Sequence, residues 1–250
     1  TVGAGYVRKL RERGVAAEDI SVITNGIDLA SWQPRARDEQ LLAQHGVDGR
    51  FVIGFIGTIG MACGLEVVLE AGERLRAAGR DDIAFLIVGD GAERERLAAD
   101  AVARGLTNVV FTGRQPSQEM PRFLASVDAC LVHLRAAELF ATVLPSKMFE
   151  AGAMARPILL GVNGEAAELL EHSSCGAWFE PENAEQLAAV ACEWATNPES
   201  AAALGRAGQQ YMTRHFDLDK LAADYERLLE SVAPARALVA TGSDKASVSP

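Results

Sequence analysis

This sequence predicts an α/β fold, a Rossmann-like parallel sheet with helices on both faces, on three observations. Short apolar runs end in glycine, as Phe51 to Ile56 does before Gly57 and Ile83 to Val88 before Gly89. Segments with helical spacing alternate with these runs from residue 51 to about residue 172. The runs are apolar throughout instead of alternating with polar residues, which is the pattern of strands covered on both faces. Strand and helix in alternation bring successive strands together in parallel.

Taken in order, residues 4–13 read as the end of a helix closed by Gly14, and Ile20 to Thr24 as a short strand. Asn25-Gly26 turns the chain, and a polar stretch around Gln33-Pro34 leads to a helix near 36–45, so a domain junction falls close to residue 25. The regular part follows: strand 51–56, helix 65–78, strand 83–88, helix 92–104, strand 108–112, and helix 118–126 with Ser117 as its N-cap. Strand 128–133 comes next, then a loop and helix from Thr142 stopped by Pro157, strand 157–162, and a helix near 164–172. After Ala177-Trp178-Phe179 the winding stops, and helices at 184–196, 199–214 and 218–232 close the chain. The last carries Leu218, Leu221, Ala222, Tyr225, Leu228, Leu229 and Val232 on one stripe. Residues 234–250, rich in Ala and Ser, read as a disordered tail.

Composition narrows the function. A formal charge of −10 without a Lys/Arg block argues against a nucleic-acid partner and against a polybasic membrane patch. Cys63, Cys130, Cys175 and Cys192 lack CxxC spacing, which disfavours a zinc site or disulfide framework and suits a reducing cytosol. No apolar run reaches the ~18 residues of a membrane span. No histidines have metal-ligand spacing and no Ser-His-Asp or Cys-His set is evident, so neither a metal ligand nor a nucleophile is expected.

Ligands of such sheets bind beyond the carboxyl ends of the strands. Three loops there are glycine-rich: Gly57-Thr-Ile-Gly60, Gly89-Asp-Gly91 and Gly113-Arg114-Gln-Pro116. Arg94 interrupts any G-x-G-x-x-G in the second, and the first lacks a following ribose-binding acid, so a dinucleotide dehydrogenase fits poorly. His133 ends an apolar strand and is expected at the rim of the cleft, while Glu165 and Glu168 complement the start of their helix.

The stretch from Thr142 to Pro157 carries the sharper signal. Pro145 suits a first helical position, and Leu144 before it has no side-chain oxygen to cap the helix. The first N–H groups are therefore free, and with the helix dipole they form an anion site. Lys147, a cation where the dipole disfavours one, strengthens that reading, and Glu150 three residues on can accept from ribose hydroxyls. The competing reading is a surface ion pair between the two.

Thr24-Asn-Gly-Ile-Asp28, Gly57-Thr-Ile-Gly60 with Gly64-Leu-Glu66, Val88-Gly-Asp-Gly91, Val110-Phe-Thr-Gly113, Pro145-Ser-Lys147, Glu150 and Pro157 stand in the order seen in retaining glycosyltransferase family 4. From about residue 2 to 233 the chain resembles the C-terminal, donor-binding half of a GT-B enzyme of that family. The Pro-Ser-Lys-x-x-Glu form with Gly161-Val-Asn-Gly-Glu165 is similar to members that build bacterial surface polysaccharide, among them N-acetyl-fucosaminyl transferases.

The resemblance implies transfer of a sugar from a nucleoside diphosphate, UDP above all, to a glycan or lipid-linked acceptor, with retention and without metal or cofactor. It implies that residues 1–24 end an N-terminal acceptor domain, that 25–216 bind the nucleotide sugar, and that helix 217–233 reaches back toward the missing half. Catalytic side chains would lie mostly on that half, in a cytoplasmic protein able to associate with the inner face of the membrane. Glu150 matches the second glutamate of the family's Glu, seven residues, Glu signature, and the first is Thr142 here. Thr58 and Cys63 stand where an arginine and a lysine usually neutralise the diphosphate, so Lys147 and Arg135 are expected to supply charge. Gly57, Thr58, Gly60, Gly89, Gly91, Arg114, Arg135, Thr142, Leu144, Ser146, Lys147 and Glu150 form the expected donor site. Two rivals remain, a GT-B epimerase of nucleotide sugars and a non-catalytic nucleotide-sugar-binding module.

Overall fold

The structure, a computed structural model, describes residues 1–232, so the tail expected over 234–250 lies outside the described residues. Six parallel strands form one sheet in the order β3-β2-β1-β4-β5-β6. They are β1 (Phe51–Ile56), β2 (Ile83–Val88), β3 (Val109–Gly113), β4 (Ala129–His133), β5 (Ile158–Gly161) and β6 (Gly176–Trp178). Ten helices accompany them among the described residues: α1 (Ala4–Glu12), α2 (Glu39–Gln44), α3 (Glu66–Ala77), α4 (Arg94–Ala103), α5 (Met120–Ser126), α6 (Ser146–Ala153), α7 (Glu165–Ser173), α8 (Ala184–Thr196), α9 (Pro198–His215) and α10 (Leu218–Val232). The strand order reverses between β1 and β4, the switch point at whose carboxyl edge sheets of this kind form a ligand crevice.

The apolar runs are explained by burial on both faces. Val52 and Ile56 of β1 join one cluster with Met148 and Phe149 of α6 and Met212 of α9. Ile53 and Phe55, the alternate residues, join the other with Val68 and Leu69 of α3 and Leu187 and Trp194 of α8. Side chains of this size hold the layers together, and truncating Phe55 or Phe85 to alanine would cost about 3–5 kcal/mol.

Three local expectations are corrected. Ile20 to Thr24 belongs to no strand, because it pairs with none of the six strands of the sheet. The N-terminal ammonium donates to the Ser21 carbonyl and Ile23 N–H to the Thr1 carbonyl, and one isolated bridge joins Ile27 to Asp217 ahead of α10. Ser117 does not cap α5. It opens a single 3₁₀ turn, and the helix begins at Met120, because Pro121 is tolerated only in a first turn. Pro145 is the N-cap of α6 and not its first residue, with extended backbone at φ −63° and ψ 130° and no side-chain cap bond.

The stripe on α10 is open: Tyr225 is 53% and Leu229 49% exposed. None of the described helices is long and apolar enough to cross a membrane.

Candidate functional site

The start of α6 faces the carboxyl end of β1. Its first N–H groups have no side-chain acceptor, since Pro145 carries none. Lys147, in that first turn, reaches toward the neighbouring strand. Its Nζ sits 4.9 Å from the centre of the Phe55 ring and 2.9 Å from where a Cβ on Gly57 would lie. Glu150, one turn further, is half-buried, and burial pushes its carboxyl above the ordinary value while Lys147 pulls it back. Among the described residues Lys147 joins no ion pair, with Glu150 or any other carboxylate, within 4.0 Å. The surface ion pair is thus absent. A cation near an aromatic face and an uncapped helix start together present positive charge to the crevice.

Beside them, the loops after β1, β2 and β3 enclose a cleft of about 600 Å³. Gly57, Thr58, Gly89, Asp90, Arg114 and Gln115 line it. Asp90 accepts from Gly91 N–H at 2.9 Å and from Arg94 Nε at 2.8 Å, and these bonds, the backbone one foremost, hold its carboxyl below the ordinary value. Arg114 is exposed on the rim and in no ion pair among the described residues.

Gly89 is required by packing: its φ is +136°, and a Cβ there would overlap the Gly57 carbonyl oxygen. Backbone bonds lace the same two turns, from Gly57 N–H to Val88 O at 2.8 Å and from Ile59 N–H to Asp90 O at 2.9 Å. Gly91 meets the Ile59 backbone in the same way, and neither Gly60 nor Gly91 lines the cleft.

Other expected site residues are placed elsewhere. Arg135 is held by carboxylates: it donates to Glu66 at 2.9 and 3.0 Å, to Glu182 at 3.1 Å and to the Met61 carbonyl at 2.8 Å. Its charge is engaged before any ligand arrives. Leu144 is half-buried against the core and Ser146 is exposed at the start of α6. Thr142 is buried at 8% exposure in the turn before α6, and a Cβ on Gly5 of α1 would approach its Cγ2 to 2.5 Å. Glu165, also buried, accepts the Gly5 N–H, so this carboxylate begins α7 and caps α1 at once. Its helix-opening position was legible, but the second helix was not, because nothing local links residues 160 apart.

His133 is not a rim residue. It is 2% exposed, and burial lowers its tendency to take a proton. A strand-end histidine is common enough that spacing gives no sign of this.

The sequence model of the glycosyl transferases group 1 matches residues 37–211. The chain belongs to this family. It is 30% identical over 227 residues to 2-deoxystreptamine glucosyltransferase of Streptomyces kanamyceticus, covering 87% of this chain and 57% of that protein. It is 34% identical over 151 residues to WcaI of Escherichia coli K12, a provisionally assigned colanic acid biosynthesis glycosyl transferase, covering 59% and 36%. The chain therefore spans only part of the length of these group 1 relatives. Among solved structures, Anabaena Alr3699/HepE in complex with UDP superimposes with a TM-score of 0.80 at 22% identity, over 92% of this chain and 62% of that one. That likeness establishes the shared GT-B fold of this group 1 domain.

Proposed function

We propose that this group 1 domain binds the nucleotide-sugar donor of a retaining glycosyltransferase that acts in surface polysaccharide synthesis. The observation that carries the reading is Lys147: a cation free of carboxylates among the described residues, at an uncapped helix start, beside Gly57 at the crevice. A diphosphate there would satisfy the free N–H groups and the lysine together. Glu150, whose carboxylate is costly to keep charged without a partner, would take ribose hydroxyls. Gly57, Thr58, Gly89 and Arg114 would line the path of the nucleotide.

As the glycosidic bond breaks, negative charge grows on the leaving diphosphate, and donors already aimed at it stabilise the transition state more than the ground state. The complex of HepE with UDP and the assignment of WcaI to colanic acid support a UDP-linked donor and a glycan or lipid-linked acceptor. If the Pro145-Ser-Lys147 and Glu150 pattern marks an N-acetyl-fucosaminyl transferase, an N-acetylated amino sugar comes first among donors to test. Residues 1–24 would end an acceptor domain that supplies catalytic side chains and contact with the inner membrane face. An epimerase is disfavoured because Thr142 stands where a sugar-facing carboxylate would be needed.

A thermal-shift panel of UDP-, GDP- and dTDP-sugars on this chain tests the reading. Stabilisation by one nucleotide class, without sugar transfer by the chain alone, is the expected result. Indifference to all three would overturn it.

A further inference from the structure

The turn after β1 forms one wall of the candidate donor cleft, and its far end is held by Arg135 and by one buried side chain, His133. The His133 ring stands at the end of β4, stacked on Phe179 at 5.7 Å between centroids and 8° between planes. Nδ1 lies 2.7 Å from the Cys63 carbonyl, in the turn after β1, and Nε2 accepts the Glu182 N–H at 2.9 Å, in the loop before α8. The second contact requires a bare Nε2, so the proton must sit on Nδ1 and donate to Cys63. Space is fitted to the ring as well. A Cβ on Gly64 would come within 3.2 Å of Cε1, and one on Gly161 would overlap Cδ2. Gly64 at φ +55° ends the same turn, and Arg135 N–H donates to the Ala62 carbonyl beside it at 2.9 Å.

We infer that His133 is a positioning residue for the donor site: its Nδ1–H bond to Cys63 holds the Gly57 to Gly64 turn in the shape that admits a nucleoside diphosphate. The inference rests on the donor-site reading above, because Gly57 and Thr58 of that turn line the cleft and Gly57 touches Lys147. The groups facing the ring are Glu66 of α3, Arg135 of the following loop, Glu182 of the 180–183 loop and the Cys63 backbone carbonyl. Protonation of Nε2 would remove the acceptor for Glu182 N–H and put a second cation beside Arg135 in a dry site.

Three substitutions separate the contacts while keeping bulk. His133→Asn can still donate to Cys63 from its amide, His133→Gln reaches the Glu182 N–H instead, and His133→Phe does neither. UDP affinity would be measured by calorimetry and exchange of the amides at 59–64 by mass spectrometry, well below the melting temperature. The expected result is near-native affinity and exchange for Asn, with about tenfold weaker UDP and faster exchange for Gln and Phe. Wild-type affinity should also fall more steeply than that of Asn as pH drops through the folded value of His133, which burial sets below the ordinary 6.5. Equal affinity and exchange in all folded variants would overturn the inference. Absence of binding of UDP, GDP and dTDP alike by the wild type would instead overturn the donor-site reading, and the exchange data would still decide whether His133 holds the turn.

Discussion

Gly5 gives its backbone N–H to the carboxylate of Glu165, two residues 160 positions apart, so one buried acid serves the starts of two helices. Both helix N-termini direct partial positive charge toward its side chain. Glu165→Ala should release α1, with a loss of about 1.5–3 kcal/mol for a buried charge-assisted bond. Hydrogen exchange should rise over residues 5–12 while β1 to β5 stay protected. Gly5→Ala should release the same helix for a steric reason, since its Cβ would meet Glu165 and Thr142.

Lys147→Ala should weaken UDP binding by roughly ten- to hundredfold, the worth of a charge-assisted contact of about 1.5–3 kcal/mol, and leave uridine binding nearly unchanged. Glu150→Ala should weaken both ligands by a similar factor. Calorimetry on the four combinations checks the contrast. Equal losses of UDP and uridine on Lys147→Ala would remove its assignment to phosphate.

Glu150 also carries a cost. Burial raises its folded carboxyl above the ordinary 4.5, so between 4.5 and the folded value the native state binds a proton that the unfolded chain does not. Its contribution to stability therefore falls as pH rises through that window, and the penalty is complete above it. Glu150→Gln should raise the melting temperature at pH 7 without ligand, shrink that gain in acid, and still weaken uridine binding.

His133 works with the opposite sign. Its folded value lies below the ordinary 6.5, so as pH falls beneath 6.5 the unfolded chain takes a proton first and stability declines until the folded value is reached. His45, also shifted down by burial, adds to the same slope. Chemical denaturation between pH 7 and 5 should show a smaller decline for His133→Asn than for the wild type.

Tyr225→Ser and Leu229→Glu on the open stripe of α10 should change the stability of this chain by no more than about 0.5 kcal/mol. In a longer protein where another surface covers the stripe, the same changes should be several times more costly.

The sheet was legible because its strands are buried on both faces, which leaves unbroken apolar runs such as Ile83 to Val88. Helix starts were legible to within two or three residues, and the misplaced start of α5 traces to Pro121 outweighing Ser117. Ile20 to Thr24 shows the limit of pattern: its residues suit a strand, but a strand also needs a neighbour. The place of Lys147 and Glu150 at the start of α6 was legible because helix chemistry is local. His133, Glu165 and the retention of Arg135 by Glu66 and Glu182 were not, because each depends on partners brought in from distant segments.

The meeting of Gly57 and Gly89 has a consequence for chimeras with group 1 relatives. The first turn occupies the space that side chains at Gly89 and Gly91 would need, so the two behave as one transplantable part. A graft meant to change donor preference that imports the first turn alone would set foreign backbone against Gly89 and distort both walls of the cleft. Moving residues 57–64 together with 89–91 preserves the fit, and this pair is the smallest cassette from which a donor-swapped variant should be built.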